Sequence, residues 1–434
     1  MTALEPAPSP LPPLRLSVPT LSARMARVDA AAHRAVMLST LARLVAAGTA
    51  VSKADLVPAA GLARTSVSTG VDELLARGVL RLDGVRPTPG RGRPADRLAL
   101  NPRGGHVLIA DLGAHGAHLA VVDLSQRVHT HTRVDVEVAD GPDAVLDVIE
   151  SRLEQLCASA DGGAGHVPVR ALVIGVPGPV DGRRGIPVRP PIMPGWHGYP
   201  VSARLSQTFG CPVLLENDVN LRALGEARAL PADQAPLLYV KIGTGIGGGL
   251  ITSSGVLHHG ADGGAGDIGH VRVRGGPDTR CVCGNVGCIE AVASAAAIAR
   301  RLTESADSAG AAGSAGFTGG AATIADVRTL VARNDPTAVG LVREAAGLIG
   351  EVVATLVHFY NPARVTIGGS LAAASDELLA GIRAVVYRRA LPLATRNLVL
   401  ANTVLGRYAG VAGATVLGIE EALSPDGIGD LMPG

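Results

Sequence analysis

A chain of 434 residues is too long for one ordinary domain, and its composition, 47% hydrophobic and 18% charged, suits packed cores and excludes a wholly disordered polymer. Aromatic residues supply only 2%, so Ala, Val and Leu must fill those cores. The net charge of +1 hides an asymmetry: residues 1–104 hold 14 Lys and Arg against 7 Asp and Glu, and the remainder holds 25 against 31, which suggests a polyanion-binding module on an acidic body.

Residues 1–28 begin with Pro6, Pro8, Pro10, Pro12, Pro13 and Pro19 and read as a disordered Pro-rich tail. This start lacks the apolar centre of a signal peptide, and no apolar run reaches the length of a membrane span, so a cytoplasmic location is expected. Met37, Leu41, Leu44 and Val45 then recur on one helix face, which Gly48 closes. Ser52 followed by Asp55 opens a second helix, and Gly61 marks a turn. Val67, Val71, Leu74 and Leu75 repeat the apolar spacing in a third helix that stops at Gly78. Val79-Leu80-Arg81-Leu82, a turn at Asp83-Gly84, the basic run Gly-Arg-Gly-Arg-Pro (90–94) and a returning Leu98-Ala99-Leu100 follow. Three short helices and a basic hairpin over residues 29–102 form a winged helix-turn-helix pattern, which binds double-stranded DNA. Arg64, Thr65, Ser66, Ser68 and Thr69 stand at the start of the third helix, where a recognition helix meets base edges and phosphates. Arg91 and Arg93, one glycine apart, suit a narrow minor groove.

From residue 105 the pattern becomes α/β. Strand candidates at 107–111, 118–122, 171–176, 213–215, 237–242 and 365–367 alternate with helical stretches at 142–158, 219–229, 289–303, 338–358 and 374–389. Residues 305–323 are rich in Ser, Ala and Gly and read as a flexible surface insertion.

Three of five cysteines crowd into Cys281-Val-Cys283-Gly-Asn-Val-Gly-Cys288, with His270 eleven residues upstream. Three thiolates and an imidazole form a closed tetrahedral set for structural Zn2+. Cys157 and Cys211 stand alone and read as buried thiols. Gly243-Thr244-Gly245-Ile246-Gly247-Gly248-Gly249 and Gly368-Gly369 are glycine-rich segments that, alone, are as consistent with tight turns as with ligand loops.

Gly-Leu-Ala-Arg-Thr-Ser-Val-Ser (61–68) with the later Gly-Arg-Gly-Arg-Pro, and Gly269-His270 ahead of the Cys-x-Cys-Gly-x-x-Gly-Cys run and Glu290, resemble the ROK family (repressor, open reading frame, kinase) over residues 33–425. The resemblance implies a winged helix-turn-helix fused to a two-lobed actin-like ATPase domain of the sugar kinase, ribonuclease H-like kind, with structural zinc. The lobes would run over 105–235 and 236–425. It implies His270, Cys281, Cys283 and Cys288 as zinc ligands, and Asn217, Asp218, Asp267, His270 and Glu290 as sugar contacts. Asp218 would be the general base if the chain is a kinase. Asp111, Gly113, Gly243, Thr244, Gly245, Gly368 and Gly369 would be remnants of the nucleotide loops.

The chain departs from the family pattern in four places. Ala114 and His115 stand where active kinases carry Gly and Thr, which obstructs close phosphate approach and argues against Mg2+–ATP. Asp267 is one methylene shorter than the usual Glu. Ala63 replaces a capping Ser, and Pro58 falls inside the second helix. The reading is a transcriptional regulator, in repressor or activator form, whose body binds a sugar or sugar-derivative effector and which works as a homodimer or homotetramer. The alternatives are an ATP-dependent sugar kinase with an accessory head and a DNA-tethered scaffold.

Overall fold

Each of the first three helices is closed by the glycine its pattern marks. The computed structural model describes residues 11–17, 30–86, 95–161, 166–309 and 321–429. In it α1 (Ala30–Ala46), α2 (Lys53–Ala60) and α3 (Arg64–Ala76) are followed by Gly48, Gly61 and Gly78 at φ +68°, +65° and +68°, a backbone that L side chains resist. Ser52 caps α2 by accepting from the Asp55 amide, and Pro58 is accommodated two residues before the helix ends. Leu38, Leu41 and Leu44 of α1 meet Val67, Val71 and Leu74 of α3 in one buried cluster. Gly70 makes that approach possible: a Cβ there would lie 2.6 Å from Leu41 Cδ1. β1 (Leu80–Arg86) pairs antiparallel with β2 (Ala95–Leu100). Asp83-Gly84 is not the expected hairpin turn. It forms an irregularity within β1, where Gly84 at φ +84° breaks the register between Leu82 and Val85 and the strand continues to Arg86.

The body is two sheets. In the first, β3 (His106–Gly113), β4 (Gly116–Asp123) and β5 (Val128–Val134) form an antiparallel meander, and β6 (Val169–Val176) and β9 (Val213–Asn217) add in parallel, giving the order β5-β4-β3-β6-β9. A small ladder, β7 (Val180–Asp181) with β8 (Ile186–Pro187), sits after β6. α4 (Pro142–Asp161) and α5 (Val201–Phe209) cover one face, and the lone tryptophan, Trp196, is buried there with its indole N–H donating to Val138 O at 2.9 Å. The other face is covered mainly by the C-terminal helix Ala409–Ala422, with α6 (Asp218–Ala229) packed between that helix and the second sheet. The second sheet has the order β11-β10-β12-β13, from β10 (Leu237–Ile242), β11 (Ile246–Ile251), β12 (Arg364–Gly368) and β13 (Val399–Asn402). α7 (Ile289–Ala293), α8 (Ala295–Ala309), α9 (Ile324–Ala332), α10 (Pro336–Tyr360), α11 (Asp376–Arg389) and α12 (Pro392–Thr395) complete that lobe. The expected single helix over 289–303 is two, because Ser294 is extended at ψ 165° and caps α8 by accepting from the Ala297 amide. α9 was not expected, and it takes up part of the segment beside the Ala/Gly/Ser-rich run; residues 310–320 of that run lie outside the described residues.

Two further expectations are corrected. α13 (Ala409–Ala422), which α14 (Pro425–Gly429) follows, does not belong with the second lobe as its expected span of 236–425 would have it. α13 packs on α6, β3 and β6, since it is an Ala/Gly/Val helix whose Gly410, Gly413 and Gly418 let it lie close against Asp111, Leu221 and Val107. The N-terminal segment is also ordered in part. Residues 11–17 dock with Leu14 and Leu16 buried, because alternate apolar side chains face the core. Leu14 exchanges two hydrogen bonds with the Gln126 side-chain amide, and Arg15 donates to Ala227 O at 2.6 Å. Residues 1–10 and 18–29 of the expected tail lie outside the described residues.

The helical head is thereby fastened to the body. Ser39 Oγ donates to Leu423 O at 2.6 Å, and Arg43 donates to Glu420 O. Glu420 also accepts from the Ser17 amide and pairs with Arg228 of α6 at 3.3 Å. No helix among the described residues is long and apolar enough to cross a membrane.

Candidate functional site

The start of α3 presents Arg64, Thr65 and Thr69 exposed and Ser66 half-buried, with Val67 and Val71 turned to the core behind them. Ala63 precedes the helix without a side-chain cap. Ser68 faces sideways, accepting from Lys53 Nζ at 3.2 Å, and Lys53 also pairs with Asp72 at 2.5 Å. Lys53 was not among the residues expected from sequence. It reaches the α3 surface because it is the first residue of α2, a place with no apolar pattern to flag it. Arg91 and Arg93 lie outside the described residues.

Between the two sheets lies a cavity of about 670 Å3. Asp111 and Gly113, from the end of β3, line it, as do Asn217 and Asp218, from the β9–α6 junction. Gly243, Thr244 and Gly245 of the β10–β11 turn, Gly369 after β12, and Asp267, His270 and Glu290 complete the set of expected residues that reach it. Gly368 stays in β12 against the Tyr239 ring. The glycine-rich run is a loop only over 243–245. Gly247, Gly248 and Gly249 belong to β11, where a Cβ at Gly249 would come within 2.6 Å of Ala223 Cβ on α6. Gly247 and Gly249 serve contact with α6 and Gly248 lies against Gly266 and Ile268, so half of the expected phosphate loop is packing surface.

Asn217 ends β9 and caps α6. Its side-chain oxygen accepts from the amides of Val219 and Asn220, and its Nδ2 donates to Gly178 O at 3.0 Å. Asp218 is 1% exposed and pairs with Lys241 of β10, with Arg222 Nε 3.9 Å away. Asp111, equally buried, pairs with Arg222 Nη2 at 2.9 Å, and burial pushes its carboxyl up while Arg222 opposes the shift. Neither cation was anticipated. Lys241 could have been noticed as the lone charge in the strand Leu-Leu-Tyr-Val-Lys-Ile, and Arg222 as the i+4 neighbour of Asp218.

On the second lobe, Glu290 accepts from the Ile246 amide at 3.1 Å, which ties the turn 243–245 to α7. Asp267 is exposed at the cavity. At the mouth, the β3–β4 turn carries Ala114 and His115. His115 Nδ1 lies 2.7 Å from Glu137, so an acidic group stands beside the expected phosphate loop. Opposite, His118 stacks on His131 with ring centres 5.4 Å apart, and Tyr408 meets both edge-on. Burial, reinforced by His131 and the nearby arginines, lowers His118 to about 4, so the ring is a neutral wall of the cleft.

His270 also faces away from the cavity into a cluster with Cys281, Cys283 and Cys288, whose ligand atoms all lie within 4.8 Å of one another. Cys281 Sγ is 3.7 Å from His270 Nδ1, and Cys283 Sγ is 3.7 Å from Cys288 Sγ. Two ligands about 2.3 Å from a shared tetrahedral centre stand ~3.8 Å apart, so the four atoms can hold a metal ion. α7 begins at this cluster, which links the ion site to Glu290. Cys211 is buried and Cys157 half-buried, and burial pushes their thiols up to about 11 and about 12.

The sequence model of the ROK family matches residues 107–421. A glucokinase of Halalkalibacterium halodurans is 35% identical over 222 residues, half of this chain and 67% of that protein. The DNA-binding transcriptional repressor Mlc of Escherichia coli is 27% identical over 373 residues, 85% of this chain and 89% of its own. A solved ROK family transcriptional regulator, a homologue of the E. coli Mlc protein, superposes with a TM-score of 0.76 at 26% identity, covering 92% of this chain and 99% of the other.

Proposed function

The chain belongs to the ROK family, and we propose that it is a sugar-responsive, DNA-binding transcriptional regulator. The observation that carries this reading is a shared pair of helices. α6 and α13 both begin at the cleft, at Asp218 and at Gly410 beside Asp111; α13 ends on the head, where the Glu420 carbonyl accepts from Arg43 of α1, and α6 ends at Arg228, which pairs with Glu420 and donates to Arg15 O of the docked N-terminal segment. The likeness to the repressors runs beyond the family match into the head, whereas that to the H. halodurans glucokinase spans half the chain.

In this reading residues 29–102 are a winged helix-turn-helix. Arg64, Thr65, Ser66 and Thr69 contact the operator, Lys53 neutralises a phosphate beside them, and Arg91 and Arg93 belong to the wing. A homodimer or homotetramer presents heads to two half-sites. A sugar or sugar derivative is held by Asn217, Asp218, Asp267, His270 and Glu290, whose carboxylates accept from hydroxyls. Zn2+ on His270, Cys281, Cys283 and Cys288 leaves no open position for water and braces the loop that carries Asp267 and Glu290. Sugar closure of the lobes moves α6 against α13, and the head follows. Coupling of this kind requires different sugar affinities in the DNA-bound and free states.

The test is selection of genomic fragments by the full chain at physiological salt, where non-specific affinity fades. A few enriched fragments sharing a two-fold motif, lost on Arg64→Ala, are expected. No enrichment with or without sugars would overturn the reading. The glucokinase relatives favour a second one, a sugar kinase with an accessory head. Sugar-dependent ATP turnover that disappears in Asp218→Asn would establish it.

A further inference from the structure

The cleft floor holds two carboxylates that have no room to be solvated. Asp111 and Asp218 are each 1% exposed, and Gly175 brings them together: a Cβ at Gly175 would lie 3.6 Å both from Asp111 Oδ1 and from Asp218 Cα. Two buried carboxylates this close demand positive charge. In phosphoryl-transfer sites a divalent ion supplies it and bridges to the phosphates. Here the positive charge is part of the chain. Arg222 Nη2 sits 2.9 Å from Asp111 and its Nε 3.9 Å from Asp218, and Lys241 pairs with Asp218 from β10. The four groups sum to zero, and both cations are themselves largely buried, so they are not solvent-exposed partners that swing away freely.

The residues present therefore do not fit a metal–nucleotide. Both carboxylates that would hold the ion are engaged, a metal would face two positive charges, and the His115–Glu137 pair adds an acidic group at the mouth. They do fit hydroxyls. Among the described residues, Asp111 Oδ1 is a buried acceptor and Arg222 Nε a buried donor without a hydrogen-bond partner. Neither atom is open to solvent, so what suits a hydroxyl-bearing ligand is the zero net charge of the four groups, which offers no counter-charge to a phosphate. We propose that Arg222 and Lys241 are resident counter-cations that stand in place of a divalent metal, so that the cleft takes an uncharged polyhydroxy ligand and rejects metal–nucleotide. This rests on the reading of the cleft as a sugar site.

Mn2+ binding to the full chain, followed by electron paramagnetic resonance with and without ATP, tests the proposal. Wild type is expected to show no Mn2+ or Mn2+–ATP binding that depends on Asp218. The double variant Arg222→Met, Lys241→Met frees both carboxylates and is expected to bind Mn2+ roughly tenfold tighter or more, since two nearby positive charges are gone. The gain is expected to vanish when Asp218→Asn is added. Wild-type Mn2+–ATP binding that Asp218→Asn abolishes would overturn the proposal, as would a folded double variant with no gain. Where the double variant does not fold, Lys241→Gln alone is read by the same two criteria. Fragment selection by the wild-type chain is independent of these outcomes, so failure of the counter-cation proposal and failure of the regulator reading give different results.

Discussion

Cys283 is the half-buried member of a trio whose other two thiols are buried, so its replacement disturbs packing least and metal binding most. Cys283→Ser is expected to lower bound zinc and to reduce the melting temperature by several degrees, measured by elemental analysis and calorimetry on the same preparation. Equal zinc content and equal melting would refute the site. His118 gives a pH-dependent test. Its folded pKa of about 4 lies below the ordinary 6.5, so between those values the unfolded chain binds a proton that the folded chain does not. Its contribution to stability is complete above pH 6.5 and is lost as the pH falls towards 4. Denaturant midpoints for His118→Gln are therefore expected to decline less over that window than those of the parent. His270 and the three cysteines, marked in the sequence by identity and spacing, lie together in one cluster, and Asp218 and Glu290, marked only by the family resemblance, line the cleft. Lys241, Arg222 and Lys53 were not, because a single cation acquires meaning only when folding places it against a particular carboxylate or surface.

The two helices that join cleft to head are held by glycines rather than by large side chains. A Cβ at Gly413 would lie 1.8 Å from Leu221 O, and one at Gly225 would lie 2.2 Å from Ala409 O. These are backbone obstacles that cannot rotate aside. Gly413→Ala is expected to destabilise the chain by about 1–3 kcal/mol or more through forced separation of α6 and α13. Unfolding followed by fluorescence of the buried Trp196 reads this directly, and an unchanged midpoint would mean that the two helices do not pack at this distance. α6 and α10 lie close to their expected spans of 219–229 and 338–358, and the apolar residues that mark α1 and α3 fall within those helices. β5, β13, α5, α9 and α13 had no counterpart among the expected segments, and two other misses have local physical causes. β11 is half glycine, so its strand character comes from pairing with β10 and contact with α6, not from side-chain alternation. The break between α7 and α8 depends on one capping serine inside a helical-looking run of alanines.

At the scale of the molecule, the surprise is continuity. Residues of α1, of α13 and α14, and of 11–17 share one buried cluster, so the head is fastened to the body. The polar fastenings converge on Glu420, which meets Ser17 and Arg228 through its side chain and Arg43 through its carbonyl. Chain order concealed this, since Glu420 is more than 370 residues from its partner Arg43. The expected span of the second lobe is corrected at the C-terminus, where α13 returns to the first sheet. This arrangement makes a definite demand. In the proposed regulator, a ligand that moves α6 relative to α13 alters the fit of Glu420 against Arg43, and by linkage DNA alters the affinity of the cleft for that ligand.

The most direct measurement is the affinity of a selected genomic fragment for the full chain, by fluorescence anisotropy at physiological salt, across a panel of neutral sugars. At least one sugar is expected to change that affinity by about fivefold or more, with the same factor appearing in sugar affinity when DNA is present, and the effect is expected to be absent in Asp218→Asn. A sugar that binds the cleft, with DNA affinity unchanged at saturation, would contradict the account.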